Sequence, residues 1–334
     1  MKKFFKYLTV SCAVVVLAAV VLLGVWFVIN ENFLNNTFLT NEVSILEGAS
    51  ASKVYDDIFS NIDTPFGFEI YINKVKKFGK HIKYGYYHAD NISLSEFIGN
   101  IMKGTQSNIK VTIPEGFNIF EIASALERMG ISDKETFTDT AFNPDIVQSV
   151  TGTRYDSMEG FLAPGTYKFP KNYDNVMIIK TMYKEFLRVF PTDFEDKVSK
   201  FGLSKYDALI LASIIQKETY SEKEAPIVAS VFLNRLKLKM RLQADPTIIY
   251  GKYLDFDGNI NKKDIQDASN IFNTYRHGGL PPTPICNPSI IAINAVINPA
   301  DTNYIYFVAD KKGNHIFSSD YRQHVNNVRK YQKQ

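Results

Sequence analysis

Glu218 closes a nearly unbroken apolar run that begins at Ala208 and continues Leu-Ile-Leu-Ala-Ser-Ile-Ile-Gln-Lys. Ser204, with Asp207 three positions on, is a helix N-cap signature, so the run is predicted to be helical. Neighbours on one helix face lie three, four and seven positions apart, which puts Glu218 in line with Leu211, Ile214 and Ile215. A carboxyl on a buried face is poorly solvated, and its pKa rises. A general acid working near neutral pH needs that shift. The alternative is a helix-end glutamate that swings into water, since perturbed carboxyls are often structural.

Other chemistries find little in the pattern. The histidines are His81, His88, His277, His315 and His324, and none forms the His-Glu-x-x-His pair of a zinc peptidase. No metal or cofactor site is predicted. There is no Gly-x-Ser-x-Gly elbow and no phosphate-binding Gly-x-x-x-x-Gly-Lys loop. Ser-x-x-Lys occurs at Ser50/Lys53 and Ser107/Lys110, but without a Lys-Thr-Gly or Ser-Asp-Asn partner both copies are coincidental. The nearest polar-loop acid is Asp245, in Arg241-Leu-Gln-Ala-Asp245-Pro-Thr-Ile-Ile-Tyr250-Gly, where Asp-Pro initiates a turn. Aromatic residues make up 13% of the chain; their faces suit sugar rings, although most belong to the core.

The elements that must carry these residues begin in a membrane. From Val10 to Ile29 there is no charge, and twenty residues at 1.5 Å each span about 30 Å of hydrocarbon. Lys2, Lys3 and Lys6 precede the run, so the positive-inside rule keeps the N-terminus cytoplasmic and exports the chain beyond Asn30. A cleaved signal peptide would have an apolar core of about 7–15 residues and a small-x-small site. Here Trp26, Phe27, Val28 and Ile29 end the run with bulk, which favours a retained anchor, and Cys12 at its start is misplaced for lipid modification. Leaving out those three lysines, 35 basic residues face 35 acidic ones. That neutral balance lacks the basic footprint of nucleic-acid binding. With Cys286 the one cysteine beyond the anchor, no intramolecular disulfide can staple the exported part, and its length suits two domains.

An internal repeat opens the exported part. Ile45-Leu-Glu-Gly48 precedes a helical pattern with Val54 and Ile58, and Ile113-Pro-Glu-Gly116 precedes one with Ile122 and Leu126. Both pairs have the i, i+4 spacing of a buried stripe. Gly85-Tyr-Tyr87 then precedes the helical stretch 93–102, as Gly165-Thr-Tyr167 precedes 176–189. Two copies are too few for a solenoid. They suggest a small α+β module and a second copy absorbed into a larger half. Beyond Glu218, Ser221 to Glu224 reads as another capping box, and Ile227, Val228, Val231, Phe232 and Leu236 form a helical stripe broken by Asn234 and Arg235. The stretch 278–288 carries four prolines and two glycines, so it is stiff and unfit for a central strand; it suits a cleft wall, and a surface connection explains it nearly as well. A strand at 304–309, a turn at 310–313 and an amphipathic segment around 325–331 close the chain.

These segments in order carry a resemblance. Ala212-Ser-Ile-Ile-Gln-Lys-Glu218-Thr, Val228-Ala-Ser-Val-Phe-Leu-Asn-Arg235-Leu and Arg241-Leu-Gln243-Ala-Asp245-Pro-Thr247-Ile-Ile-Tyr250-Gly resemble the endolytic murein transglycosylases, the YceG-like or MltG family. Asn273-Thr-Tyr275, Gly279-Leu-Pro-Pro282, Asn298-Pro and Tyr304-Ile-Tyr-Phe-Val-Ala309 come next in the family's order; Val111-Thr-Ile-Pro-Glu-Gly116 and Glu159-Gly-Phe-Leu162 match earlier landmarks. Two positions depart from it. Gln216 stands where the family often has a second acid, and Ala163-Pro-Gly-Thr-Tyr167 stands where Phe-Pro-Asp-Thr-Tyr is common.

The resemblance implies an α+β protein with a cytoplasmic tail at 1–8, an anchor at 9–29, a linker at 30–41, a LysM-like module at 42–108 and a catalytic domain at 109–334. It implies lytic cleavage of the β-1,4 bond between N-acetylmuramic acid and N-acetylglucosamine in nascent strands, leaving 1,6-anhydro ends and terminating elongation. Glu218 would be the catalytic acid and base. Gln243, Asp245, Asn273 and Tyr275 would hold acetamido and hydroxyl groups, although a structural hydrogen bond in a turn suits each as well. Peptidoglycan strands and cell-wall synthases would be the partners, at the cell membrane. A water-using muramidase with Glu218 and Asp245, and a non-catalytic glycan-binding scaffold, are the alternatives.

Overall fold

The computed structural model describes residues 2–332 apart from 41, 47 and 106, with backbone alone for 2–6, 8 and 9. Glu47 of the first Glu-Gly turn and the side chains of Lys2, Lys3 and Lys6 thus lie outside the described residues. The chain divides into two compact units, residues 1–109 and 110–334.

In the first unit, α1 (Lys2–Asn36) is a single 35-residue helix. Its stretch Val10–Asn36 is long and apolar enough to cross a membrane, and none of its most apolar window is buried. Residues 30–36, expected to begin a linker, continue this helix instead. No Gly or Pro interrupts them, and Asn30 and Leu34 are buried in the unit. Next come β1 (Phe38–Leu39), β2 (Glu42–Ile45), α2 (Ala51–Phe59), α3 (Phe68–Lys74), α4 (Phe78–His81), β3 (Gly85–His88), β4 (Ile92–Ser93) and α5 (Leu94–Lys103). β2 and β3 pair antiparallel with Val43 opposite Tyr87, and β1 pairs with β4. Their core combines Leu34 with Val54, Ile58, Phe68, Tyr71 and Phe97.

The second unit opens with β5 (Ile109–Ile113), α6 (Ile119–Arg128), α7 (Lys134–Ala141), α8 (Pro144–Thr151), β6 (Gly165–Phe169) and α9 (Asn175–Val189). The repeat read from the sequence is present in three dimensions. Each copy runs strand, glycine turn, helix, two further helices, strand, helix, with the short β4 inserted before the last helix of the first copy, and β2 pairs with β3 as β5 does with β6. Gly48 and Gly116 sit at φ +81° and +78°. Tyr87 donates its hydroxyl to the Lys83 carbonyl at 3.0 Å and Tyr167 does the same to Ala163 at 2.6 Å, each reaching four residues back. Val54, Ile58, Ile122 and Leu126 are all buried.

The remainder is mostly helical: α10 (Phe194–Val198), α11 (Lys205–Glu218), α12 (Ala225–Lys237), α13 (Asp245–Gly251), α14 (Lys262–Gln266) and α15 (Ile290–Ile297). The hairpin β7 (Tyr306–Ala309) and β8 (His315–Ser318), with α16 (Tyr321–Tyr331), completes it. The proline-rich stretch divides in two: Gly278, Gly279 and Pro282 are exposed, as a surface connection would be, and the rest turns inward. It is buried from Thr283 to Ser289. Prolines bring no N–H to satisfy, and three of the donors that remain find buried acceptors: Ile285 N–H in Ser213 Oγ at 3.0 Å, Asn287 N–H in the Phe117 carbonyl at 2.9 Å and Ser289 N–H in Gln216 Oε1 at 2.8 Å.

Candidate active site

Ser204 Oγ accepts the Asp207 N–H at 3.1 Å, and the Asp207 carboxylate accepts the Ser204 N–H at 3.1 Å. This closes the expected capping box and starts α11 at a fixed point. From Ala208 to Gln216 the helix is buried throughout. Glu218 is its last residue, and Thr219 departs in an extended conformation, φ −151°. The carboxyl thus emerges, partly exposed, into a cleft of about 440 Å³. Burial raises its pKa to about 7, the negative charge of Asp245 adds to the shift, and Arg235 opposes it. A carboxyl so poised can give a proton and take one back near neutral pH. Gln216 turns elsewhere, to Ser289, so the missing family acid leaves no gap in the cleft.

Asp245 faces Glu218 from the first turn of α13, with Pro246 beside it. The Asp-Pro pair therefore opens a helix, where an acidic side chain meets the positive end of the dipole. Tyr275 donates its hydroxyl to Asp245 Oδ1 at 2.6 Å. Burial, reinforced by that carboxylate, pushes the Tyr275 pKa up, which keeps the group a donor. Gln243 lines the same cleft from a left-handed backbone, φ +53°. Asn273 does not join them. It is fully buried, its Nδ2 donating to the carbonyls of Asp264 (3.0 Å) and Asp267 (2.8 Å) while its Oδ1 accepts the Tyr275 N–H at 3.0 Å. Of the four expected substrate contacts, Asn273 instead holds the turn that presents Tyr275, because the carbonyls crowding its amide leave it no free donor.

Further cleft residues escape a reading of the sequence. Arg235 is buried, with Nε donating to Ile305 O at 2.6 Å and Nη1 to Leu242 O at 2.7 Å, and its guanidinium 5.3 Å from the centre of the Tyr306 ring. The break it makes in the apolar stripe of α12 is its signal. His315 lines the cleft from β8, its Nδ1 2.8 Å from Glu224 Oε2, while its N–H donates to Glu224 Oε1 at 2.9 Å. This engagement explains why the second capping box does not form: Ser221 Oγ accepts the Glu224 N–H at 3.3 Å, but the Glu224 carboxylate goes to His315 and α12 has no side-chain cap. With Nδ1 held, Nε2 is the His315 nitrogen left to the cleft. His324, on α16, stacks on Tyr306 at 4.9 Å and its Nδ1 has no partner. Burial, then the Arg235 charge, lowers its pKa and keeps the ring neutral.

Behind the cleft, Glu159 Oε2 accepts from Ile119 N–H and the Tyr250 hydroxyl, both at 3.0 Å, and Oε1 from Asn287 Nδ2 at 2.9 Å. This hub ties α6, α13 and the buried proline-rich stretch together; burial pushes its carboxyl up to about 8 despite the first two donors. Among the described residues, no group of three or more His, Cys, Asp or Glu is placed to hold a metal ion. A larger hollow, about 860 Å³, is lined by Leu203, Leu233, Asn234 and Pro299 and contains none of the residues nominated for chemistry.

The YceG-like family model matches residues 43–330. The chain belongs to the YceG-like family. It is 29% identical over 313 residues to the endolytic murein transglycosylase of Bacillus subtilis, covering 87% of this chain and 85% of that one. It is 27% identical over 282 residues to the protein of the same name from Streptococcus pneumoniae D39, covering 74% of this chain and about half of that relative, 50%. The crystal structure of a YceG-like protein from Listeria monocytogenes superposes with a TM-score of 0.60 at 26% identity, covering 87% of this chain and 100% of that one. The cleft of this YceG-like chain falls inside the matched span except for Gln332 at its edge.

Proposed function

We propose that this YceG-like chain is an endolytic peptidoglycan lytic transglycosylase, with Glu218 as its acid and base. The observation that carries the reading is a single carboxyl poised near neutrality, opposite a second acid already engaged by Tyr275. Ordinary glycosidases need two carboxylates. A lytic enzyme needs one, because the nucleophile is the substrate's own C6 hydroxyl. Glu218 protonates the glycosidic oxygen as its bond to C1 breaks. The C6 oxygen bonds to C1, its proton passes to the Glu218 carboxylate, and the residue is reset. Having the nucleophile in the same ring supplies the proximity that a second residue would otherwise provide. Gln243, Asp245 and Tyr275 hold the sugar's polar groups, and the neutral ring of His324 suits the same task. Asn273 acts through Tyr275.

The first unit serves as a LysM-like grip on the glycan, and α1 as a retained single-pass anchor with its N-terminus in the cytoplasm. Retention is supported by the burial of Asn30 and by Leu34 lying in the core, since cleavage beyond Leu34 would remove both. Nascent strands are the substrate and cell-wall synthases the expected partners. Glu218→Gln keeps size and hydrogen bonding but cannot transfer a proton. Acid-base roles are worth roughly 10²–10⁴-fold, so cleavage should fall at least that far while glycan binding survives; an unchanged rate refutes the assignment. The electrostatic coupling of Asp245 to Glu218 favours the muramidase as second reading. Mass analysis of released muropeptides separates the two: anhydro ends are lighter by one water, and reducing ends from the unsubstituted protein would overturn the lytic mechanism.

A further inference from the structure

The uncharged run Val10–Ile29 fits the thickness of a hydrocarbon core, and Trp26 lies in its last turn, about 4.5 Å before the end at 1.5 Å per residue. The first unit touches the helix at that level. Trp26 Nε1 donates to the Phe66 carbonyl at 2.9 Å. Gly67 approaches so closely that an added Cβ would sit 3.0 Å from the same indole nitrogen. The Trp26 and Phe27 rings meet Tyr71 of α3 edge-on at 5.6 and 5.7 Å. The turn at 64–67 and the start of α3 are therefore fixed beside the end of the apolar run. On this turn Phe66 is 94% exposed, and Ile70 is 62% exposed one turn further on. Next along the chain, Lys74, Lys77, Lys80 and Lys83 are all exposed, and Glu69 is the one acid between residues 68 and 83.

We propose that the first unit docks on the bilayer itself, with Phe66 and Ile70 inserted among the upper acyl chains and the lysines of 74–83 over anionic phospholipid headgroups. Indole rings settle at this depth. An apolar tip flanked by basic residues is the composition of interfacial segments, and each lysine near an anionic surface adds attraction. A lone exposed phenylalanine would need no explanation in water. This one is hydrogen-bonded through its carbonyl to a residue of the spanning run, so its depth is set by the anchor. Docking also fixes the tilt of the unit, which a single helix leaving the membrane would leave free to swing.

The inference rests on the proposed anchoring by α1, and the test separates the two. In a Cys12→Ser background, with the buried Cys286 left in place, a polarity-sensitive fluorophore is attached after Phe66→Cys, Val21→Cys or Leu254→Cys. The full chain is reconstituted in vesicles of phosphatidylethanolamine and phosphatidylglycerol. Val21→Cys reports the span, and Leu254→Cys, at a position 77% exposed in the second unit, reports water. Nitroxide-bearing acyl chains should quench the fluorophore at 66 about as strongly as at 21, and iodide should quench it several-fold less than at 254. Iodide quenching at 66 equal to that at 254, with 21 still quenched by lipid, overturns docking and leaves the anchor standing. Iodide access at 21 overturns both.

Discussion

Burial does most to raise the Glu218 pKa, the Asp245 charge adds to it and Arg235 opposes it. The protonated form starts the reaction, so the rate should decline as pH rises through about 7. Asp245→Asn removes the charge that favours the proton. The alkaline limb of kcat/KM should then move to lower pH, with a measurable rate retained; a limb that stays put or moves upward refutes the coupling, and turnover abolished as in Glu218→Gln favours the muramidase. Asn273 behaves differently because its amide is occupied by backbone. Asn273→Ala strands buried carbonyls and the Tyr275 N–H, at about 1–3 kcal/mol for each group left unpaired. The loss should appear as a lower melting temperature, while KM below the transition changes little; a large KM effect at full stability would restore Asn273 to the substrate. Glu218 is legible in the sequence because a carboxyl on an apolar helical face leaves a periodic trace. His315 and His324 are not, since their roles depend on Glu224 and Tyr306, which lie far from them or at no diagnostic spacing.

Elements show the same division. The start of α11 is readable from Ser204 and Asp207 because a cap is a local arrangement between near neighbours. The box at Ser221 fails for the converse reason: a partner about ninety residues away in sequence, His315, takes the Glu224 carboxylate. The proline-rich stretch reads as stiff, but the burial of its second half rests on Ser213 and Gln216 and on the bonds of its own Asn287 to Phe117 and Glu159, which no local pattern reveals. That burial makes a sharp demand on Gly160, the neighbour of the Glu159 hub. Gly160 has φ +87°, and an added Cβ would sit 2.7 Å from Pro284. Strain and overlap act together in Gly160→Ala, so unfolding should become easier by about 2–4 kcal/mol, read from chemical denaturation. Wild-type stability in that variant would mean that the proline stretch yields, against the close packing described.

At the scale of the molecule, the mixed α+β class and the repeat are readable from recurring Glu-Gly and Gly-x-Tyr signals, since both copies solve one local problem in one way. Where the anchor ends is not readable. Hydropathy marks Ile29, but α1 continues to Asn36, and its last turns belong to the first unit rather than to a linker. Phe33 meets Phe68 edge-on at 4.8 Å, Leu34 is 2% exposed, and the Tyr71 hydroxyl donates to Glu31. A soluble version that begins at Phe38 loses all three contacts. Burying a Leu or Phe side chain is worth about 1.5–3 kcal/mol, and a small module has little stability to spare. Hydrogen exchange should therefore show protection lost across residues 42–103 in the version beginning at Phe38. A version beginning at Asn30 should keep most of it, and residues 110–332 should stay protected in both. Equal protection of residues 42–103 in the two versions would show that the helix end merely rests on the unit.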